Sequence, residues 1–449
     1  MQQITMVGAG FSALAVSYHL LQHRTPLRLR LIAPQQSWFG GTAYRLGARQ
    51  HVLNVVAGNM SIDPSSPNDF VDFLPKSAAA ERQFARRADY GRYLQAVAKR
   101  CEVLASQQGH QFEFIDDKIT SAQLTEHTLT GANGDTYHYD QVVFASGVQA
   151  PQTPLSHPRM IANPWHLDKA MLTKLAQQSQ AQPIVLVGSS LTMVDTYLAL
   201  REFGFRQPII SLSRHGYRLI PHRFSTLNDA EQFAAQLRQL ATLRQQTHYF
   251  HQRLRTAWQQ SLSSEALANA LRPYLSQLWQ HWTISERQQF LRHLASRWNV
   301  ARHRLPEDIF TAIDSAERSG DLTYKRGYLH AIKPASEQQL TLEYRERSSG
   351  ELVTVAASLV VMCTGPSRAF NADHYLSGAI ARGELALDKT ELGLAADANT
   401  FALLNAEGHA HRGVFAVGQL VRGVFWECTS VPDLRHHCQK IASQILQQC

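Results

Sequence analysis

The sequence is poor in cysteine, and its cysteines show no paired spacing. It has five among 449 residues, and no Cys-x-x-Cys motif is present. This absence excludes the dithiol redox centre and the zinc knuckle that such a motif would indicate. We expect no metal site. The pattern fits a reducing compartment, so we expect a cytoplasmic location.

Long apolar and basic runs are missing as well. No apolar stretch approaches the roughly 20 residues that a membrane-spanning helix needs. Residues 1–5 lead directly into an apolar strand, so we expect neither a membrane partner nor a signal peptide. The net charge is +8, but the basic residues are scattered through helical stretches. We interpret them as solvated helix faces with a few phosphate contacts, and we expect no nucleic-acid partner.

The sequence does contain a glycine-rich turn close to its start. Gly8-Ala-Gly10-Phe11-Ser12-Ala13 follows an apolar strand at 4–7, opens a helical pattern and precedes a second strand at 27–32. Such a β-α-β unit binds dinucleotides because the turn lets backbone N–H groups approach a pyrophosphate. The predicted cofactor contacts are Gly8, Gly10, Phe11 and Ser12.

A second turn of the same type begins at Gly188, after an apolar strand at 183–187. It predicts contacts from Gly188, Ser189, Ser190 and Thr192. Arg214 follows the next strand, where a basic residue accommodates the 2′-phosphate of NADPH. Glycines also follow apolar strands further on, and we predict cofactor contacts at Gly147, Gly365 and Gly418. Two turns predict a chain that holds two nucleotides, FAD and NADPH.

These patterns predict an α/β fold with two dinucleotide-binding, Rossmann-like domains and an all-α insertion. The insertion at 226–318 is rich in Gln, Arg, Leu and Ala and has helical periodicity. It could be a lid over the flavin or an interface, through which the chain forms a homo-oligomer or binds a partner protein. Segments 112–115, 128–129 and 136–139 predict a small antiparallel meander. The predicted boundaries are 1–155 and 340–449 for the FAD-binding domain, 156–225 and 319–339 for the NAD(P)H-binding domain, and 226–318 for the insertion.

One expected residue of an FAD site is absent. The second strand usually ends in Asp or Glu, which binds the adenosine ribose, but here it ends in Leu31-Ile32-Ala33. A hydrogen bond to a charged group contributes about 1.5–3 kcal/mol, so its loss weakens FAD binding by roughly ten- to hundredfold. A degenerate site would show the same feature.

Several polar residues have two open interpretations. Asp195, on the helix after the second turn, could contact the cofactor or compensate the helix dipole. An anionic substrate could bind the basic residues around the insertion, which could equally form a salt-bridged helix end. These residues are His222, Arg302, His303 and Arg304.

Motifs that carry a family resemblance are spread over almost the whole chain. They are GAGFS at 8–12, GTAY at 41–44, HVLNVVA at 51–57, NMS at 59–61, YGRYL at 90–94, GSSLTMVD at 188–195, SRHG at 213–216, WNVARHRLP at 298–306, CTGP at 363–366, VG at 417–418, GVFWE at 423–427 and VPDLR at 431–435. In this order they resemble the bacterial FAD/NAD(P)-binding proteins related to flavin-dependent N-hydroxylating and Baeyer–Villiger monooxygenases.

The resemblance implies that Tyr44, Asn54 and Met60 lie along the flavin. It also implies that the helix near Pro432 points its positive N-terminus at the pyrimidine edge of the isoalloxazine, which stabilises the anionic reduced flavin. Glu427 precedes this helix. It could bind a substrate amine or tie down the loop, and we name Asn54 and Glu427 as candidate catalytic residues.

The favoured function is an NADPH-dependent flavoprotein monooxygenase. It would use O2, through a flavin C4a-hydroperoxide, to hydroxylate a small nucleophilic substrate for which an amine is the expected class. The first alternative keeps the fold but inserts no oxygen, as in a flavin reductase, dehydrogenase or oxidase. The second is a non-catalytic binding or assembly protein on a degenerate flavin fold, which Ala33 motivates.

Overall fold

Two sheets with parallel centres organise the chain. The computed structural model describes residues 1–44, 51–75, 81–149, 151, 154–167, 169–177, 181–365, 367, 370 and 373–449. Pro366, the last residue of the CTGP motif, lies outside the described residues. The strands are, in chain order, β1 (Gln2–Val7), β2 (Leu27–Ile32), β3 (Gln111–Ile115), β4 (Ile119–Gln123), β5 (Thr128–Gly131), β6 (Thr136–His138), β7 (Gln141–Phe144), β8 (Met160–Ile161), β9 (Ile184–Val187), β10 (Ile209–Ser213), β11 (Leu322–Ser336), β12 (Gln339–Glu346), β13 (Leu352–Ala357), β14 (Leu359–Met362), β15 (Ala402–Leu404) and β16 (Ala410–Ala416).

Helices connect these strands and fill one long insertion. They are α1 (Phe11–Leu20), α2 (Asp69–Phe73), α3 (Arg87–Gln108), α4 (Lys169–Gln177), α5 (Leu191–Glu202), α6 (Ala230–Gln239), α7 (Leu243–Gln259), α8 (Ser264–Leu271), α9 (Leu275–His281), α10 (Ile284–Gln289), α11 (Ala295–Arg302), α12 (Glu307–Arg318), α13 (Ser377–Ala381), α14 (Arg422–Phe425) and α15 (Val431–Gln447). Within the described ranges, no helix combines the length and the apolar content that a membrane crossing requires.

The first sheet has the order β15-β16-β7-β1-β2-β3. Strand β1 is parallel to both β2 and β7, and its apolar residues are buried because helices and loops cover both faces. Segment 112–115 was predicted to belong to the meander, and this is wrong. It forms β3, which is parallel to β2, because the chain returns to the sheet through the long crossover helix α3. The meander consists of β4, β5 and β6.

The second sheet has the order β13-β12-β11-β10-β9-β14-β8. The boundary predicted at residue 340 assigned β12, β13 and β14 to the first domain, but their hydrogen bonds place them in this second sheet. Strand β11 turns directly into β12 as an antiparallel hairpin, and β14 is parallel to β9. The chain therefore rejoins the first sheet only at β15.

Helices α6 to α12 form the all-α insertion, so the predicted fold class is confirmed. Helices α6 to α9 and α11 share a core built around Trp279 and Phe233, whereas α12 packs Ile313 and Ala316 into the core of the second sheet. The core around Trp279 also contains Leu392 and Trp426 from the C-terminal segment. The insertion therefore packs against the part of the chain that connects β16 to α15.

A buried histidine on α15 makes the fold sensitive to acid. His437 lies 4.9 Å from the rings of both Phe401 and Phe425, and burial lowers its pKa from 6.5 to about 4. Below pH 6.5 the unfolded chain binds a proton that the folded chain does not accept until about pH 4. The contribution of His437 to stability is therefore fully present above pH 6.5 and is lost as the pH falls from 6.5 to about 4.

We expect His437→Leu to flatten this acid dependence. Between pH 6.5 and 4, the free energy of unfolding of this variant should fall less steeply than that of the unmodified protein, by up to about 1.4 kcal/mol per pH unit. Urea unfolding at several pH values measures this difference. His409, whose side chain is 76% exposed, provides the control His409→Leu, which should follow the unmodified protein. Parallel acid curves for both variants would contradict this assignment.

Candidate functional site

The first glycine turn joins β1 to α1 and approaches the end of β7. Gly8 has φ +122°, and its N–H donates to the carbonyl of Ile32 at 2.8 Å. A Cβ at Gly8 would collide with the carbonyl oxygen of Ala145. Gly10 starts α1 without a side-chain cap, and the first helical turn has no acidic residue. The N-terminus of α1 therefore offers free backbone donors to an anion.

The second glycine turn repeats this geometry between β9 and α5. Gly188 has φ +131°, its N–H donates to Leu212 at 2.8 Å, and a Cβ there would collide with the carbonyl of Cys363. Ser190 starts α5, again with no side-chain cap and no acidic residue in the first turn. Both turns therefore fit a pyrophosphate by the same backbone geometry.

A groove of about 550 Å³ opens at the second turn. This volume is in the range of small-molecule sites. The structure brings Gly188, Ser189, Ser190 and Arg214 together in its lining, but Thr192 and Gly365 are not among the lining residues. Helix α11 of the insertion contributes Ser296, Asn299 and Val300, which sequence reasoning missed because that helix is remote in the chain.

Four exposed arginines surround the loop after β10, where Arg214 was predicted to select NADPH. They are Arg214, Arg297, Arg326 and Arg347. No carboxylate in the described part of the chain pairs with any of them. Burial and these four positive charges lower the pKa of His215, and its Nδ1 accepts a hydrogen bond from Arg347 at 2.6 Å. This concentration of positive charge fits a phosphate group.

The predicted flavin-side residues Tyr44 and Met60 meet at one tyrosine. The Tyr44 ring is 4.6 Å from the Tyr90 ring, and the Tyr90 hydroxyl donates to the Met60 carbonyl at 2.8 Å. Phe11 of the first turn lies 6.5 Å from Tyr90. These side chains form a largely buried aromatic wall beside the first glycine turn.

Asn54 lies beside the loop that leads from the second domain into the insertion. Its carbonyl is 3.2 Å from His222 Nε2, and His222 Nδ1 is 3.3 Å from a carboxylate oxygen of Glu265. Glu265 is 1% exposed and also lies 3.4 Å from Arg304 Nε. Among the candidate anion-binding residues, Arg304 is therefore paired with Glu265, and His222 lies within hydrogen-bond distance of the same carboxylate.

Glu427 is held by the insertion. Its carboxylate accepts a hydrogen bond from Trp298 Nε1 at 2.8 Å and lies 3.6 Å from Arg302 Nε. The side chain is 15% exposed. Of the two roles considered for Glu427, these contacts favour tying down the loop.

Ala33 stands where an acid was expected, and an aromatic residue covers it. Trp38 Nε1 donates to the Ala33 carbonyl at 2.8 Å, and the Trp38 ring packs 5.3 Å from Phe114. One carboxylate does lie at this edge: Asp116 follows β3 and accepts the N–H of Gln35 at 2.7 Å. Sequence reasoning missed Asp116 because it follows the neighbouring strand.

The remaining predicted residues lie at turns and at the start of α15. Gly147, Gly365 and Gly418 have φ of +74°, +84° and +74°. Pro432 is in the first turn of α15, which Ser430 precedes as N-cap.

Helix α15 packs beside α1. Cys438 Sγ is 3.6 Å from the Ser12 carbonyl. At 1.5 Å per residue, the start of α15 therefore lies about 10 Å along the axis of α15 from the level of Ser12.

Asp195 joins the two dinucleotide-binding units. Its carboxylate pairs with Arg87 of α3 at 3.0 Å, with both side chains largely buried. Its carbonyl lies 3.0 Å from His51 Nε2, and Arg87 packs over the Trp165 ring at 5.2 Å. Asp195 thus has a structural partner in the first domain.

Comparisons with known proteins agree with this architecture. Residues 5–149 match the family model for FAD-NAD(P)-binding domains. No curated protein matches the sequence significantly.

Three solved structures illustrate the similarity of fold. The ornithine N-hydroxylase of Kutzneria sp. 744 has a TM-score of 0.66 at 12% identity, covering 100% of this chain and 99% of that chain. The ornithine hydroxylase of Pseudomonas aeruginosa gives 0.63 at 15%, with coverage of 100% and 99%. The bacillithiol disulfide reductase of Staphylococcus aureus gives 0.58 at 12%, with coverage of 100% and 99%. At these identities the similarity shows the fold alone. It confirms, at the level of the fold, the resemblance to FAD/NAD(P)-binding proteins that the sequence motifs indicated.

The two glycines of the first turn should respond differently to alanine. Gly10 has φ −89°, and a Cβ there would meet nothing closer than Gly41 Cα at 3.7 Å. We expect Gly10→Ala to change the free energy of unfolding of the FAD-free protein by less than about 1 kcal/mol. It should weaken FAD binding at least tenfold, because the methyl group would occupy the path of the pyrophosphate.

Gly8→Ala is the matched comparison. Its positive φ and its contact with Ala145 should destabilise the fold itself, by about 1–3 kcal/mol or more. Urea unfolding and an FAD titration followed by fluorescence would separate the two effects. Unchanged FAD affinity in Gly10→Ala would place the cofactor elsewhere.

Proposed function

We propose that this protein is an NADPH-dependent flavoprotein monooxygenase that hydroxylates a small nucleophilic substrate, with an amine as the favoured class. One observation carries the proposal: the chain has two uncapped glycine turns, and the second faces a cluster of arginines that pair with no carboxylate among the described residues. The first turn would hold FAD and the second NADPH. Bound FAD supplies the transfer of two electrons from NADPH to O2.

The overall reaction consumes NADPH, a proton, O2 and the substrate, and it yields NADP+, water and the hydroxylated substrate. The chain's own residues bind and orient. The backbone N–H groups at the uncapped starts of α1 and α5 would receive the two pyrophosphates, and Arg214 with its neighbours would receive the 2′-phosphate. Tyr44, Met60 and Tyr90 keep water from the flavin side.

Asn54 and Glu427 remain candidates for roles close to the reaction. Asn54 belongs to the segment that the resemblance places along the flavin. Glu427 would act through its hydrogen bond to Trp298, which fixes the loop before α15. Neither side chain is assigned a proton transfer.

Structures of similar fold support both the favoured function and its alternative. The Kutzneria enzyme is an ornithine N-hydroxylase studied with reduced FAD, NADP+ and L-ornithine. The Staphylococcus aureus protein is a bacillithiol disulfide reductase. A flavin reductase without oxygen insertion is therefore the second candidate.

The experiment that tests the proposal follows the flavin spectrum and the fate of oxygen. Anaerobic NADPH should bleach the flavin absorbance of the FAD-loaded protein. Air with a panel of diamines and amino acids should then give a hydroxylated amine. Complete conversion of the consumed O2 to peroxide, with no oxygenated product, would favour the reductase. A protein that cannot be loaded with FAD would favour the non-catalytic alternative.

Arg214→Gln should reduce the preference for NADPH over NADH. Loss of one charge-assisted hydrogen bond costs about 1.5–3 kcal/mol of binding free energy. The ratio of kcat/KM for NADPH to kcat/KM for NADH should therefore fall about ten- to hundredfold. Arg318→Gln is the matched control, since Arg318 is 80% exposed and pairs with Asp314 on its own helix. An unchanged ratio in Arg214→Gln would contradict the assignment of the 2′-phosphate site.

A further inference from the structure

The segment between β16 and α15 is clamped by the insertion. Trp279 Nε1 donates to the carbonyl of Gly423 at 2.7 Å, and the Trp279 and Trp426 rings stack at 5.1 Å. Trp426 has φ +55°, and the N–H of Glu427 donates to the carbonyl of Phe425 at 2.7 Å. This tight turn directs Trp426 into the insertion and leaves Glu427 beside the start of α15.

Two carboxylates stand at this helix start, Glu427 before it and Asp433 in its first turn. An N-terminal helix end carries about half a positive charge, which two carboxylates would more than cancel. Left uncompensated, they would oppose the accumulation of negative charge nearby.

Two arginines of the insertion oppose these carboxylates. Arg302 donates to the Ser430 hydroxyl at 3.1 Å and lies 3.6 Å from a carboxylate oxygen of each acid. Arg272 donates to the same hydroxyl at 3.1 Å and to Asp433 at 3.2 Å. The formal charges of these four side chains sum to zero, so the two arginines offset the two acids at the helix start.

Arg302 is largely buried at this helix start. Its side chain is 7% exposed, and its Nε lies 3.6 Å from the Glu427 carboxylate. Its attraction to the acids is therefore only weakly screened by solvent and salt.

The position of this helix end relates it to the first glycine turn. It lies about 10 Å along the axis of α15 from the contact between Cys438 and Ser12. Gly418, at the carboxyl end of β16, accepts a hydrogen bond from Cys428 Sγ at 3.2 Å. A cofactor bound with its pyrophosphate at Gly8 would extend along this same edge of the sheet.

We propose that Arg272 and Arg302 are positioning residues that neutralise Glu427 and Asp433, so that α15 presents a positive end to the flavin. The inference rests on the proposed function, because it requires FAD at the first turn. It makes the insertion part of the machinery that sets the reduction potential. It also explains why two acids are tolerated at this edge.

The test is the midpoint potential of the FAD-loaded protein. We expect Arg302→Gln to weaken the binding of reduced relative to oxidised flavin about tenfold, which lowers the two-electron potential by about 30 mV. The double variant Arg302→Gln/Glu427→Gln should recover the potential, because it removes one charge of each sign. Arg318→Gln, at an exposed site, should leave it unchanged.

Each outcome of these potential measurements either supports or overturns the inference. An unmoved potential in FAD-loaded Arg302→Gln, or a double variant no better than the single one, overturns the inference and leaves the proposed function intact. If Arg302→Gln does not fold, Glu427→Gln alone replaces it and should raise the potential; a potential that stays the same or falls overturns the inference. Failure of the unmodified protein to bind FAD overturns the proposed function and this inference together.

Discussion

The arrangement of this protein depends on one steric constraint that occurs twice. In each parallel sheet, the turn after one strand passes so close to the end of a neighbouring strand that only glycine fits. Gly8 lies against Ala145 and Gly188 against Cys363. Since the helices that follow begin without caps, each close approach also leaves backbone donors open at the carboxyl edge of its sheet. Both candidate nucleotide sites result from this constraint.

The insertion is best understood as a shared wall of the two sites. Helix α11 lines the nucleotide groove with Ser296 and Asn299, and it holds the start of α15 with Trp298 and Arg302. The two sets lie on different faces of one short helix, as a period of 3.6 residues requires. A tryptophan cluster at Trp279 anchors the insertion to the first domain. This anchoring argues against a freely opening lid.

The sequence predicted what local chemistry determines. The turns at Gly8 and Gly188, the strands before them and the start of α15 at Pro432 follow from short patterns, and the structure has them where the patterns predict. Short sequence patterns could not predict which distant strands pair with one another. A strand at 112–115 fits a meander or a parallel sheet equally well in isolation, and the hairpin of β11 and β12 shows its sheet only through its partners.

The residues of the candidate site likewise fall into those that a local sequence pattern reveals and those that only long-range contacts bring to the site. Arg214 could be found because it follows a strand, but Arg347 and Arg297 reach the same loop from a hairpin and from the insertion. Glu427 attracted attention as a carboxylate near the expected flavin, yet its partners Trp298 and Arg302 are more than 100 positions away in the chain. Residues that act through such long-range contacts carry no local signal.

The absence of an acid at Ala33 has to be weighed against what the rest of the chain retains. Four arginines without carboxylate partners repel one another, and a bound phosphate relieves that repulsion. A protein that no longer bound nucleotides would gain nothing from leaving this charge uncompensated. The lost ribose contact affects one end of one cofactor, at a site where the carboxylate of Asp116 follows the adjacent strand. The balance of these contributions favours a flavoprotein with a modified adenosine site over a degenerate one.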